Sequence, residues 1–168
     1  MITVGQASKR RTPKDRVPGR CLCGAVEIEI DYPAFWAWHD HSYASRTAHG
    51  AAYATYVGCW RKHFRVTKGG KDITRFEDQA GAARSFCACC GTPLLYERKR
   101  SRHMVNIPRA LFASRTGREP RYHVNIEELQ DWAWRGEPLV PLKGYPGVVW
   151  ERPKAKKRRP PRQEEEGQ

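Results

Sequence analysis

The chain has 168 residues, of which 39% are hydrophobic, and it carries a formal net charge of +13. This length and composition are typical of a single globular domain and exclude a disordered chain. No apolar run is long enough to cross a bilayer, and the basic first twenty residues lack the apolar segment of a secretory signal. Six cysteines without an export signal favour a reducing compartment, so we expect a cytoplasmic protein, or a nuclear one if the source is eukaryotic, without membrane contact.

The excess positive charge is concentrated at the two ends. Residues 1–20 carry a net charge of +5 and residues 151–168 one of +3, so more than half of the excess lies there. Because residues 1–18 and 151–168 contain little apolar sequence, we predict a flexible arm, a domain over 19–150 and a disordered tail. Basic ends attract polyanions such as nucleic acid, although tails that only aid solubility have the same composition.

The domain is predicted to be a succession of short strands. Val26, Ile28 and Ile30 alternate with two glutamates, which is the pattern of a half-buried strand. Further segments rich in apolar, aromatic and β-branched residues follow between turn residues, at 34–38, 51–60, 64–67, 73–76, 83–86, 93–97 and 104–107. This order predicts a mostly antiparallel β-fold.

Helices are expected to be few and short. The candidates are 108–112 and 125–134, and in the second Asn125 could cap a turn whose third residue is Glu128. The aromatic side chains at 35–38 could stack on a base or ligand, but core packing is the preferred assignment in a β domain.

Two short cysteine pairs, each followed by a glycine, are the strongest chemical signal in the sequence. Cys21 and Cys23 are two residues apart, so on an extended strand they point to the same face. Cys87 and Cys90 have the spacing of a tight turn in which two sulfurs converge. Four thiolates suit a closed tetrahedral zinc site, with buried or disulfide-bonded cysteines as the alternative.

With these pairs in place, the chain resembles the glutathione-dependent formaldehyde-activating family, which also includes the vertebrate centromere protein V. The resemblance covers about residues 19–150. Its motifs are, in order, Gly19-x-Cys21-x-Cys23-Gly24-Ala25-Val26, Arg46-x-x-x-Gly50-Ala51-Ala52-Tyr53, Phe64-Arg65-Val66, Arg84-x-Phe86-Cys87-x-x-Cys90-Gly91-Thr92-Pro93-Leu94 and Pro120-x-x-His123. It implies an Mss4-like β-fold of antiparallel sheets, stapled by a structural zinc on Cys21, Cys23, Cys87 and Cys90.

The family carries a second set of cysteines, in the pattern Cys-His-Cys-x-x-Cys-Arg, which binds a catalytic zinc. Beside that zinc, glutathione and formaldehyde combine into S-hydroxymethylglutathione. Counted back from the Gly-Ala-Ala segment, the matching positions of this chain hold Asp40, His41, Ser42, Ser45 and Arg46. Only the histidine and the arginine match the family. The resemblance therefore implies a degenerate catalytic site at these five residues.

The loss of three cysteines argues against a second zinc. A serine hydroxyl is a poor zinc ligand because it does not ionise near neutral pH. A site rebuilt from His39, Asp40 and His41 is the alternative, but on a strand the two histidines share one face and Asp40 takes the other. We therefore expect one structural zinc and a polar pocket without metal around Asp40.

Three residues outside these sets also need an assignment. Cys59 lies in a predicted strand and is assigned to packing. Cys89 lies between two predicted ligands and is expected to point away from the metal. His123 matches a family position near the substrate cleft, but a lone histidine is more often a surface or capping residue.

Two functions follow from these observations. The first is a member of a carbon–sulfur lyase family acting on adducts of a glutathione-like thiol with small aldehydes, its activity lost or altered at the degenerate site. The second is a zinc-stapled binding module whose basic ends contact nucleic acid or another polyanion. Whether the chain is an enzyme is left open by the sequence.

Overall fold

The computed structural model describes residues 15–79, 81–133 and 138–151. Within them the fold is mostly β, which confirms the predicted class. No helix of this part of the chain is long and apolar enough to span a membrane. The strands are β1 Arg16–Arg20, β2 Glu27–Asp31, β3 Trp36–Asp40, β4 Ala54–Trp60, β5 Phe64–Lys68, β6 Ile73–Glu77, β7 Ala82–Cys87, β8 Pro93–Arg98, β9 Met104–Pro108, β10 Tyr122–Val124, β11 Leu139–Pro141 and β12 Val149–Glu151.

The smaller of two sheets has the strand order β1-β2-β5 and is antiparallel. Ile28 and Ile30 of β2 are buried, as their alternation with glutamates predicts. Strand β1 begins at Arg16, inside the segment that the sequence assigns to a flexible arm. It pairs with β2 along all five of its residues and buries Val17, which lies opposite Ile30.

The larger sheet has the order β11-β12-β10-β3-β4-β9-β8-β7-β6. All its neighbouring strands are antiparallel except β10 and β3, which run parallel. This parallel pair places His123 of β10 directly beside His39 of β3. The sheet therefore brings two histidines that are 84 positions apart in sequence onto neighbouring strands.

The one α-helix of the described residues, α1 Tyr43–His49, was not predicted. The Ser42 side chain accepts a hydrogen bond from the Ser45 backbone N–H at its start, and Gly50 ends it in the left-handed conformation. Its seven residues were too few to show a helical period, but these two caps were readable in the sequence.

The two predicted helices are single 3₁₀ turns in the structure. The first, at Arg109–Leu111, lies within the predicted 108–112. The second spans Ile126–Glu128, while residue 134 lies outside the described residues. Asn125 has a φ of 53° and its side chain caps nothing. The capping prediction was therefore wrong, because the side-chain amide of Asn125 donates a hydrogen bond to Asp40 instead.

Candidate functional site: a cysteine cluster and a polar site on β3

The four predicted zinc ligands converge. One sulfur from each of Cys21, Cys23, Cys87 and Cys90 lies within 4.8 Å of all the others. The Cys21–Cys23 and Cys23–Cys87 sulfur distances are 3.5 and 3.8 Å. Four sulfurs at about 2.3 Å from a tetrahedral zinc would be about 3.8 Å apart. The donor set and its spacing therefore fit a zinc ion, and all six cysteines of the chain are free thiols.

Two turns fix the cluster. In the first, the Gly24 N–H donates to the Cys21 carbonyl at 3.1 Å, and in the second the Gly91 N–H donates to the Cys87 carbonyl at 2.8 Å. Both glycines have positive φ, of 74° and 71°, which explains why each cysteine pair is followed by glycine. Thr92 connects the two turns, because its hydroxyl accepts from the Leu22 N–H and lies 3.1 Å from the Cys90 sulfur.

The sulfur environments are unequal. Hydrogen bonds from Thr92 lower the pKa of Cys90 to about 5, whereas burial raises the pKa of Cys87 to about 12. A metal ion would convert all four sulfurs to thiolates, since it supplies the positive charge that the site lacks. Cys59 and Cys89 lie outside the cluster. Cys59 is buried in β4, where burial raises its pKa to about 12, and Cys89 is exposed.

The three positions that lack the family's cysteines also converge, around a buried carboxylate. Asp40, 1% exposed at the end of β3, accepts hydrogen bonds from the Ser42 N–H at 3.0 Å and the Ser45 hydroxyl at 2.8 Å. The Asn125 amide donates a third at 2.7 Å. These three donors satisfy the carboxylate within the protein.

A cation and a tyrosine extend this network. The Arg84 guanidinium on β7 donates to the Ser45 hydroxyl at 3.2 Å and to the Tyr56 hydroxyl at 3.0 Å. His49, on α1, completes it with a 2.9 Å contact from its Nε2 to the Tyr56 hydroxyl. We call this set the Asp40 network: Asp40, Ser42, Ser45, His49, Tyr56, Arg84 and Asn125. It places the positive charge of Arg84 close to the Asp40 carboxylate.

The remaining two residues of the predicted site do not join this network. The His41 side chain turns away from Asp40, and its Nε2 lies 2.8 Å from Nδ1 of His123. Arg46 donates from Nε to the His41 carbonyl at 3.1 Å. The sequence assigned His123 to the surface or to a cap, and that expectation was wrong. Both histidines are fully buried, so neither lines an open cleft.

His41 and His123 belong to a cluster of neutral imidazoles. The His39 ring lies 4.7 Å from that of His123 between centroids. Burial lowers the pKa of His39 to about 4 and that of His123 to about 3, and it also lowers the pKa of His41. The side chain of Glu151, at the end of β12, approaches this cluster, with its Oε1 3.5 Å from Nε2 of His123. No motif in the sequence marked Glu151 as a site residue, and it falls within the predicted disordered tail.

A mostly β fold with a four-cysteine cluster that could hold a metal ion, and a polar site at the end of β3, define the class of this protein. Comparison with protein families identifies the family: the profile described as "Glutathione-dependent formaldehyde-activating enzyme" matches residues 16–128. The chain therefore belongs to this family. No curated protein sequence matches it.

Among solved structures, the chain is similar to the crystal structure of a Rhodobacter sphaeroides protein determined as a structural genomics target. The two are 24% identical, and the match covers 58% of this chain and 88% of the other, with a TM-score of 0.50. At that identity the similarity concerns the fold.

Proposed function

We propose that this chain is a member of the family in which a structural zinc is kept and the thiolate-bound catalytic zinc has been replaced by the Asp40 network. The structural ion would be held by Cys21, Cys23, Cys87 and Cys90. As a member of the family the chain would still bind a glutathione-like thiol or its aldehyde adduct, but it would not catalyse the zinc-assisted condensation, because the buried Asp40 network takes the place of the catalytic zinc. The observation that carries this proposal is the set of three donors on the Asp40 carboxylate.

The chemistry of this network supports the loss of the metal. Zinc would have to compete with these donors for a carboxylate whose Oδ1 accepts two hydrogen bonds and whose Oδ2 accepts one. The serine hydroxyls would have to ionise, which they do not do near neutral pH. Arg84 contributes positive charge nearby and balances the carboxylate without a metal. No metal-ligand cluster within the described residues includes Asp40.

The structural zinc is tested by a pair of serine variants. Changing Cys87 to Ser should release the tightly bound zinc and unfold the domain, because binding energy at a closed site is folding energy. Cys89→Ser is the matched control, since this exposed cysteine lies in the same turn but outside the cluster. Metal analysis and circular dichroism give the result. A Cys87→Ser protein that stays folded and keeps its zinc would refute the assignment.

The degenerate site is tested by restoring its cysteines. Wild-type protein should not accelerate the addition of formaldehyde to glutathione, measured by NMR exchange. The triple variant Asp40→Cys, Ser42→Cys, Ser45→Cys should gain one additional thiolate-bound Co²⁺, visible by its sulfur-to-metal charge-transfer band. Rapid condensation by the wild-type protein would contradict the proposal, whether or not the triple variant binds cobalt.

A second candidate function is the binding of single-stranded nucleic acid. The net charge of +13 favours it, and the basic clusters 9–11 and 154–162 that motivate it lie outside the described residues. The described domain adds an aromatic surface, in which exposed Trp60 stacks on His103 with centroids 5.4 Å apart. Beside it is a cavity of about 480 Å³ whose lining is predominantly cationic, comprising Arg61, Arg75, Arg98, Lys99 and Arg102 with Glu77 and Glu97.

Stacking platforms next to cationic grooves are typical of proteins that bind single strands without reading sequence. Changing the Lys and Arg residues of 9–11 and 154–162 to Gln should weaken binding of a labelled oligo(dT) and reduce its salt dependence. Trp60→Ala should weaken it further, while Phe76→Ala, which removes an exposed aromatic on β6, serves as the control. Affinity unchanged in the tail variant would assign the tails to solubility alone.

A further inference from the structure

We propose that His39, His123 and Glu151 form a second metal site, built from residues other than those that replace the family's cysteines. One ligand atom from each lies within 4.8 Å of the other two. Two histidines and one carboxylate are a donor set that binds Zn²⁺ or Fe²⁺ and leaves coordination positions open for water or a substrate. This inference does not rest on the proposed function, because it uses neither the cysteine cluster nor the Asp40 network.

The sheet fixes the three side chains on one face. His39 of β3 and His123 of β10 are direct neighbours across the parallel pair. His123 is also paired with Val149 of β12, and Glu151 lies two residues beyond Val149. Side chains two residues apart on a strand share a face of the sheet, so Glu151 lies diagonally opposite His123 and on the same face as His39. Strands β12 and β3 flank β10 on its two edges. Three adjacent strands thus each contribute one ligand.

The other ring nitrogens are held in the way that metal-binding histidines require. Nδ1 of His39 lies 2.9 Å from the Thr55 hydroxyl. Nδ1 of His123 lies 2.8 Å from Nε2 of His41. With a metal on its Nε2, His123 carries its proton on Nδ1 and donates it to His41. Such outer partners orient the rings of metal ligands and fix their tautomers.

The distances allow closure on a metal with small side-chain movements. Nε2 of His123 and Oε1 of Glu151 are 3.5 Å apart. Two ligands at about 2.0–2.2 Å from a tetrahedral metal are about 3.3–3.6 Å apart, so this pair already fits, and the other two pairs, which lie within 4.8 Å, must approach by at most about 1.5 Å. Glu151 is the accessible member, with a side chain 33% exposed, whereas His123 is fully buried. The metal would therefore enter from the Glu151 side.

The test is a Co²⁺ titration of the full chain with its thiolate-bound zinc in place, after a mild chelator has removed weakly held metal. We expect one further equivalent, with ligand-field bands in the visible range and without the sulfur-to-cobalt charge-transfer band. Excess Zn²⁺ should displace this Co²⁺. The absence of a further equivalent, or a charge-transfer band that shows binding to sulfur, would overturn the proposal.

Variants assign the bound ion to these residues. Glu151→Gln should weaken Co²⁺ binding at least about tenfold, since even outer-shell changes cost metal sites that much. His39→Gln should do the same, and circular dichroism checks that each variant is folded. Glu127→Gln, at an exposed carboxylate outside the cluster, is the matched control. Equal Co²⁺ affinities of the Glu151→Gln and Glu127→Gln proteins would place the ion elsewhere, for example on the acidic tail, and would refute the site.

Discussion

Replacing Ser45 with Ala tests whether the Asp40 network holds this site together in place of a metal. The Ser45 hydroxyl donates to Asp40 at 2.8 Å and accepts from Arg84 at 3.2 Å. The substitution removes one of three donors from a carboxylate that is 1% exposed. Water cannot readily replace that donor at such a buried position, so the cost of desolvation falls on the folded state.

The magnitude follows from the charge on the acceptor. Losing a hydrogen bond to a buried charged group costs about 1.5–3 kcal/mol, and alanine returns about 0.5 kcal/mol through its better helix propensity in α1. The net loss is therefore about 2 kcal/mol, or roughly 4–8 °C in the midpoint of thermal unfolding for a chain of this size. Urea unfolding of the zinc-loaded protein, followed by tryptophan fluorescence, measures the free energy directly.

Two comparisons make this result specific. Thr47→Ala changes an exposed residue on the same helix and should alter stability by less than about 0.5 kcal/mol. In a double-mutant cycle with Asp40→Asn, Ser45→Ala should show a coupling free energy of about 1 kcal/mol or more, as expected for residues in direct contact. A Ser45→Ala protein as stable as wild type, or additive effects in the cycle, would refute the network as a structural replacement.

Two further predictions concern stability elsewhere in the domain. The hydrogen bond from Arg65, and after it the one from His63, lowers the pKa of Asp31. This carboxylate therefore stabilises the fold fully at pH values above the ordinary carboxyl pKa. The stabilisation is lost as the pH falls through the lowered pKa. Asp31→Asn should therefore cost about 1 kcal/mol at neutral pH and flatten the acid limb of a stability–pH profile; an unchanged acid limb would contradict this role. Gly69→Ala should destabilise the protein by about 4 kcal/mol or more, since its Cβ would lie 2.0 Å from the Ala25 carbonyl oxygen beside the first zinc turn. Gly144→Ala, at a similar positive φ with nothing within 4 Å, should cost only about 1–2 kcal/mol, and equal unfolding free energies of the two variants would rule out the clash.

The cysteine cluster and most of the strands between residues 26 and 107 were readable from the sequence because their signals are local. The Cys-x-x-Cys spacing predicts its own turn, whereas Cys21 and Cys23 lie in a turn after β1 and not on the extended strand that their spacing suggested; the structure brings all four sulfurs together. Alternation such as that of Ile28 and Ile30 predicts which face of a strand is buried, because side chains in a strand point alternately to its two faces. The absence of a second cysteine set was inferred from the resemblance to the family, by counting back from Gly50, and it stays a prediction.

The histidine cluster was decided only by the tertiary structure. No sequence pattern near His123 identifies it as the neighbour of His39, because their pairing depends on β10 lying parallel to β3 in the larger sheet. Glu151 was assigned to a disordered tail because a three-residue strand is too short to show a period. Asn125 was assigned a capping role from its neighbours, whereas its amide binds Asp40 across 85 residues of sequence. The alternation of apolar and polar residues predicts which face of its strand a side chain occupies. Which side chain it meets on that face depends on pairing between strands that are far apart in sequence.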